Sequence, residues 1–472
     1  MKAMKKLFLM MLVAIMVLST IACNGNNDST SDNSANGGEQ LSPIERIMKK
    51  YDDKGYVYEY DGDPCTITMS QWDADGATIE RSVVEAMLSG FKKRYPTIEV
   101  QLDIVNDYEN TYATRFAAGN VHDVFMVSDG VFPSWVKMNV MEDLTDWIET
   151  SDLVKADKII DSALTRYQYD PATRKLGEGI QYVLPKDISA HVMYYNKDLF
   201  DEYGVEYPSS TEIMKMDDAI NMWKALTNEE DGVYGLAWTE IQGWIWSAGG
   251  DYLNETRTAF PEDEASINAL RQGYKFIQDA YYNYGIAPTT EAVGDLDATK
   301  LFALGTVATC VAGSWKNASF STCDFNWDIA YVPAYEQAPT KNGWSGSVGY
   351  GLYKKSANIE AAWKLLEYIN SEEGQEILAS TGFQFPIYKE LGLSEEYIAN
   401  EKAKAGYPQN YEIYIKSAIN QPAGTSTYIA NNTWKSTSYD AYSAYLLDSV
   451  EEDRWSVDKF LDEVRAKINS IL

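Results

Sequence analysis

The sequence predicts an α/β fold built on parallel strands, and three observations carry that prediction. Residues 64–72, PCTITMSQW, alternate apolar and polar side chains as a half-buried strand does. The run from Thr78 to Arg94 then sets Ile79, Val83, Val84, Met87, Leu88 and Phe91 at helical spacing, and TIEVQLDIV (97–105) returns to a strand pattern. Strand, helix and strand in immediate succession build a parallel pair rather than a β-sandwich.

Ahead of this unit, MKAMKK supplies a basic start and LFLMMLVAIMVLSTIA (7–22) an apolar run too short for a stable membrane span, the composition of a secretion signal over residues 1–22. The run ends at Ser19-Thr20-Ile21-Ala22-Cys23, a small residue before a cysteine, which resembles the lipobox at which bacterial lipoproteins are cut and lipidated. Thr20 stands where leucine is commonest. Cys23 is therefore expected to carry lipid. The polar tract NGNNDSTSDNSANGGEQ holds too little apolar surface to fold, so residues 23–57 read as a flexible tether.

Later elements follow in order. NIEAAWKLLEYIN, from Asn358, gathers Ile359, Ala362, Trp363, Leu366 and Ile369 on one helical face. Ser371 then caps SEEGQEIL, whose carboxylates fall in the first turn, where the helix dipole favours them. The closing stretch DSVEEDRWSVDKFLDEVRAKINSIL is amphipathic and helical, and packs back on the domain. No short repeat period is visible.

Composition excludes several functions. The formal net charge of -30 makes nucleic acid an unsuitable partner. With two histidines, four cysteines and neither a CxxC nor an HExxH motif, the sequence offers little for a metal centre, and it implies no cofactor. Cys65 lies in the first strand and is expected to be buried. Cys310 and Cys323 are close enough in sequence to bridge where the geometry allows.

Eight stretches resemble, in order, the extracellular solute-binding proteins of the sugar-binding family that serve ABC importers, the group that includes maltose-binding protein. They are TRFAAGNVHDVFMVSD, LPKDISAHVMYYNKDLF, YPSSTEIMKMDDAINMWKAL, YGLAWTEIQGWIWSAGGDYLN, LFALGTVATCVAGSWKNASF, FNWDIAYVPA, GWSGSVGYGLYKKSANIEAAWKLLEYINSEEGQEIL and GFQFPIYKE. His122 replaces a usual proline and Thr306 a common lysine. The resemblance implies a two-lobe periplasmic-binding-protein-like fold of type II, with the ligand cleft between the lobes. It places lobe 1 at 58–188, lobe 2 at 189–333, a return to lobe 1 at 334–395 and a C-terminal helical segment at 396–472. It further implies a binding protein without catalytic residues, monomeric and lipid-anchored on the extracellular face of the cell membrane. Such a protein passes a carbohydrate, expected to be an oligosaccharide, to ABC transporter permease subunits.

A sugar presents apolar C–H patches and a rim of hydroxyls, so its site needs flat aromatic faces beside short polar groups. The resemblance gives Trp315, in VAGSWKN, the stacking role, with Gly313 and Ser314 leaving its approach open. It also directs Glu240 and Trp244, before the Gly249-Gly250 pair, toward the cleft as hydrogen-bonding acid and stacking ring. Residues two apart on a helix point about 200° apart, so Trp246 is expected in the core, with the glycines ending the helix. Gln71, Trp72 and Asp73 follow the first strand at the end where open parallel sheets hold ligands. Asp129, in VSDG, occupies a position where the family often has a hydroxyl-binding acid. Trp344, in NGWSGSVG, and Trp434, in NNTWKST, complete the ligand-binding candidates.

Two other readings share the acid-plus-aromatic composition. A secreted glycoside hydrolase would use paired carboxylates, but no catalytic signature accompanies the 70 acidic residues. A binding protein of the same fold for an amino acid, a peptide, a polyamine or iron would need an arginine or clustered Tyr and His near the cleft. Tyr194-Tyr195 belongs to the YNKDLF strand and reads as structural.

Overall fold

The computed structural model describes residues 41–72, 78–424 and 434–472. The β–α–β opening forms as the hydrophobic pattern requires. β1 (Cys65–Gln71) pairs in parallel with β2 (Ile98–Ile104), Cys65 opposite Ile98 through Gln71 opposite Ile104. The connecting helix Thr78–Arg94 lays Val83, Val84, Met87 and Phe91 on the sheet with no exposed surface. β3 (Val124–Ser128), buried along its whole length, extends the sheet in parallel with β1.

The chain next makes a small three-stranded sheet, β5-β4-β6, from β4 (Gln168–Asp170), β5 (Lys175–Leu176) and β6 (Ile180–Gln181). β7 (Val183–Pro185) then joins the edge of the first sheet. Five residues later β8 (His191–Asn196) opens a second sheet, with β9 (Tyr234–Trp238), β10 (Val307–Gly313) and β11 (Trp327–Ala330) in the order β11-β8-β10-β9. β12 (Val348–Leu352) returns to the first sheet, antiparallel to both β3 and β7, giving β2-β1-β3-β12-β7. The five-stranded sheet is the centre of one lobe and the four-stranded sheet of the other, and the chain crosses between them through residues 186–190 and 331–347.

Helices Ile359–Ile369 and Glu372–Ser380 pack on Thr78–Arg94 in the first lobe. Ser371 caps the second of these, its Oγ accepting from Gly374 N at 3.1 Å. The helix Glu412–Asn420 lies on β8, and Val457–Ile471 buries Phe460, Leu461, Val464 and Ile468 against Glu264–Tyr282 in the second lobe.

Two sequence expectations, the tether and the burial of Cys65, are corrected, and the open Cys310–Cys323 pairing is decided. The tether does not reach residue 57. A Ser42–Glu45 capping box opens a helix at Pro43–Asp53, which buries Met48 and Tyr51. Hydroxyl bonds from Tyr51 to Glu376, Tyr56 to Glu372 and Tyr58 to Glu373, at 2.6–2.8 Å, fasten this segment to the first lobe. Cys310 and Cys323 are both free. The Cys310 thiol is buried against the Ala298 carbonyl at 3.5 Å, and Cys323 is half-buried. Cys65 is likewise half-buried, beside the Tyr60 hydroxyl, rather than in the core. Among the described residues no helix is long and apolar enough to cross a membrane, and no three His, Cys, Asp or Glu side chains converge as a metal site would require.

Candidate functional site

The segments that join the sheets bound a cleft of about 550 Å³. One wall comes from the first lobe: Trp72 just past β1, Ser128 and Asp129 at the end of β3, and Glu80 in the first turn of the Thr78–Arg94 helix. The opposite wall is Ser314, Trp315, Lys316, Ala318 and Ser319, immediately after β10. The crossing segments supply Asp187, Ile188 and Ser189 on one side and Trp344, Gly346 and Ser347 on the other, while Phe383, Gln384 and Phe385 close an end. Strand ends are where an open α/β sheet leaves side chains free to meet a ligand.

Two indoles define the aromatic surface. Trp315 is 39% exposed, the most open tryptophan of the cleft wall. Its ring folds back over Gly313, where a Cβ would overlap the indole, so the G-x-W spacing is what lets the ring lie flat on the end of β10. Trp344 mirrors this with Gly346, whose Cβ would stand 2.6 Å from the Trp344 ring. His191 packs between them, edge-on to Trp315 at 5.4 Å and tilted to Trp344 at 4.6 Å.

The polar side of the cleft is a charge network. Lys186 has no exposed side-chain surface and contacts Glu80 at 3.3 Å and Asp187 at 3.4 Å. Burial alone would depress its ammonium, but Asp187 and Glu80 hold it above its ordinary value, so it stays charged. Glu80 also accepts from Trp72 Nε1 at 2.9 Å and from Gln384 Nε2 at 3.4 Å, which fixes the Trp72 ring. Asp129 takes Arg166 Nη1 at 2.7 Å, and the same guanidinium donates to Ser345 O and Ser345 Oγ, both at 2.8 Å. Burial pushes the Asp129 carboxyl up, against the pull of Arg166.

The structure thus brings Trp72, Asp129, Trp315 and Trp344 to one cleft. Glu240 lies apart from it, on a small void behind Trp344, and burial raises its carboxyl above the usual range. Three expected ligand contacts are corrected. Gln71, the last residue of β1, is fully buried, its Oε1 accepting from the Tyr350 hydroxyl at 2.5 Å and its Nε2 donating to Glu80 O at 3.5 Å. Trp244 is 1% exposed, packed edge-on against Phe276 at 4.7 Å and Trp238 at 5.5 Å. The helix Gln242–Ser247 is enclosed on all sides, so Trp246 is buried too and the pair is not split between cleft and core. Gly249, at φ 88°, does end that helix. Trp434, 1% exposed, packs in the second-lobe core on Tyr252 and Tyr439. Asp73 and Cys23 lie outside the described residues.

Sequence reasoning passed over Glu80, Asp187, Ser189 and Gln384. The signal for Asp187 was present: Lys186-Asp187 interrupts the apolar run VLPKDISAHVMYY, and adjacent charges inside such a run must be paired or functional.

The sequence matches the family model of bacterial extracellular solute-binding proteins over residues 71–376. Among curated proteins, a Brucella abortus binding protein is 24% identical over 330 residues, 67% of this chain and 75% of that one. The melibiose/raffinose/stachyose-binding protein of Bacillus subtilis is 23% identical over 390 residues, 78% and 82% of the two chains. Among solved structures, the substrate-binding protein Lmo0181 of Listeria monocytogenes, in complex with cycloalternan, aligns with TM-score 0.68 and 23% identity. The alignment covers 86% of this chain and 99% of that one. At that identity the structural match establishes the fold.

Proposed function

The chain belongs to the family of bacterial extracellular solute-binding proteins, and from that premise we propose that it captures a carbohydrate, an oligosaccharide in particular, for an ABC importer. The observation that carries the proposal is the pairing of an exposed indole, Trp315, with carboxylates and hydroxyls across one interlobe cleft. A sugar ring stacks its C–H face on such an indole and turns its hydroxyl edge to groups that accept and donate. Trp315 and Trp344 are assigned the stacking surface. Asp129, Asp187, Ser189 and the Glu80-anchored Trp72 are assigned the polar rim.

Relatives with named ligands bind sugars or small polyols, from erythritol and tagatose to oligosaccharides. One is a melibiose, raffinose and stachyose binder, and another was solved with cycloalternan. On this reading the ligand enters the open cleft between lobes divided near residues 188 and 333, and bonds to both walls, which stabilises the closed form. A monomer held to the membrane by lipid on Cys23 presents that closed form to permease subunits, and ATP is spent elsewhere.

A thermal-shift screen against mono- and oligosaccharides tests the reading. A glycan at about 100 times its Kd adds roughly 2.7 kcal/mol to stability. A silent response to every glycan, with a clear response to an amino acid, polyamine or metal ion, would replace carbohydrate with that class.

A further inference from the structure

Behind the Trp344 wall lies a second void, of about 10 Å³, lined among others by His191, Glu240, Trp244, Asn342, Gly343 and Trp344. That is close to the space of one water-sized sphere. Three of its lining residues carry a buried nitrogen without a hydrogen-bond partner, His191 Nε2, Trp244 Nε1 and Trp344 Nε1, and His191 and Trp244 are each 1% exposed.

The directions of these groups can be assigned. His191 Nδ1 sits 3.1 Å from the Trp344 carbonyl oxygen, which only accepts, so Nδ1 carries the proton. Burial holds the imidazole down at about 4, so at neutral pH it is uncharged and Nε2 is an acceptor. The two indole nitrogens are donors only. Asn342 is already committed, its Nδ2 donating to Val332 O at 2.7 Å and its Oδ1 accepting from Gln421 Nε2 at 3.3 Å. Glu240 adds a carboxylate acceptor at the border of the void. Two N–H donors, Trp244 Nε1 and Trp344 Nε1, and one acceptor, His191 Nε2, among the residues lining a one-oxygen space match a single O–H group, which accepts twice and donates once; Glu240 suits the second proton of a water.

The backbone is arranged to make this space. A Cβ on Gly243 would overlap the Asn342 carbonyl, and one on Gly343 would stand 2.6 Å from Gln421 Nε2 and 2.9 Å from His191 Cβ. Two glycines therefore let the 240s helix, the 340s crossing segment and the start of β8 approach until their side chains share one void.

We propose that this void is a binding socket for one hydroxyl oxygen, supplied by a water molecule or by a hydroxyl of the captured ligand, held by Trp244, Trp344 and His191. Because Trp344 lines both the socket and the cleft, the bound oxygen fixes the rear edge of the ring whose other side faces the ligand. Trp244 is then a positioning residue acting through Trp344. The ligand-hydroxyl source rests on the carbohydrate reading; the water source does not.

High-resolution crystal structures of the full chain, without ligand and with a glycan found by the screen, test the proposal. The expected result in the unliganded protein is one ordered oxygen within hydrogen-bond distance of Trp244 Nε1, Trp344 Nε1 and His191 Nε2. Retention of that oxygen in the glycan complex identifies water as the occupant, and its replacement by a sugar oxygen identifies the ligand. A socket that is dry in both structures, or an oxygen bonded to none of the three nitrogens, overturns the proposal. If no glycan binds, the carbohydrate reading fails while the unliganded structure still decides the socket. As a second measurement in solution, the Trp344 indole N–H shows a magnetisation-transfer peak to a long-lived O–H in the folded protein, weakened in Trp244→Phe. An unchanged peak in that variant removes Trp244 from the socket.

Discussion

The indoles of Trp315 and Trp344 stand 5.7 Å apart at a 46° tilt, one carried on the end of a strand of the second sheet and the other on the segment returning to the first. A ligand resting on both bridges the second lobe and the crossing segment. Trp315 is 39% exposed and packs the rest of its ring on His191 and Trp344. Trp315→Ala is therefore expected to lower unfolding free energy by about 1–3 kcal/mol. Loss of one aromatic platform, about 0.5–1.5 kcal/mol beyond the buried area, lowers glycan affinity roughly tenfold. Titration calorimetry beside denaturant unfolding separates the two, and undiminished affinity would show that Trp315 is not a platform.

Asp129 behaves differently. Its partner Arg166 is buried to within 1% and also holds Ser345 of the crossing segment. Asp129→Ala strands a buried guanidinium, which costs about 3–5 kcal/mol. Chemical denaturation of the unliganded protein checks this. A loss below about 1 kcal/mol would mean that Asp129 is held for the ligand alone and that Arg166 finds another acceptor.

His191 makes stability depend on pH. Its folded value lies near about 4, below the 6.5 of the free side chain, because burial disfavours the imidazolium. Between those values the unfolded chain binds the proton and the folded chain does not, so this group's contribution to stability falls as pH drops from 6.5 toward 4. The total is on the order of 3 kcal/mol. His122 is also lowered by burial, so the readout is the difference between wild type and His191→Gln across that window. Parallel pH profiles would remove His191 as the cause.

What the sequence made legible follows from range. The helix over 78–94 and its flanking strands were set by local periodicity, and Ser371 by local capping chemistry, so their bounds could be read directly. Trp315 and Trp344 sit two residues from glycines that seat their rings, which is also a local pattern. Trp244 and Trp434 carried no comparable mark: both are enclosed by residues distant in sequence, Phe276 around the first and Tyr252 around the second. Periodicity on one helix cannot reveal that a second element covers its outer face. Gln71 failed for a related reason, since strand alternation decides which of Gln71 and Trp72 points inward but not what the next layer contains. The Pro43–Asp53 helix carries a local mark, the Ser42–Glu45 capping box with Pro43 in the first turn, but its docking was hidden, because Tyr51, Tyr56 and Tyr58 tie the segment to glutamates more than 300 residues away.

Gly313 offers the sharpest test of the cleft. Its backbone lies in the extended region at φ -71° and ψ 150°, which any residue adopts, so alanine there introduces no backbone strain. The added Cβ nonetheless overlaps the Trp315 ring, and the ring is the group free to move. Gly313→Ala is expected to lower glycan affinity at least fivefold, about 1 kcal/mol, with folding stability changed by less than that. Tryptophan fluorescence of the unliganded variant reports the displaced indole. In the Gly313→Ala, Trp315→Ala double variant the losses should not add, because the alanine acts only through the ring it displaces. Additive losses would instead place the effect of Gly313 in the strand and leave the indole seat without support.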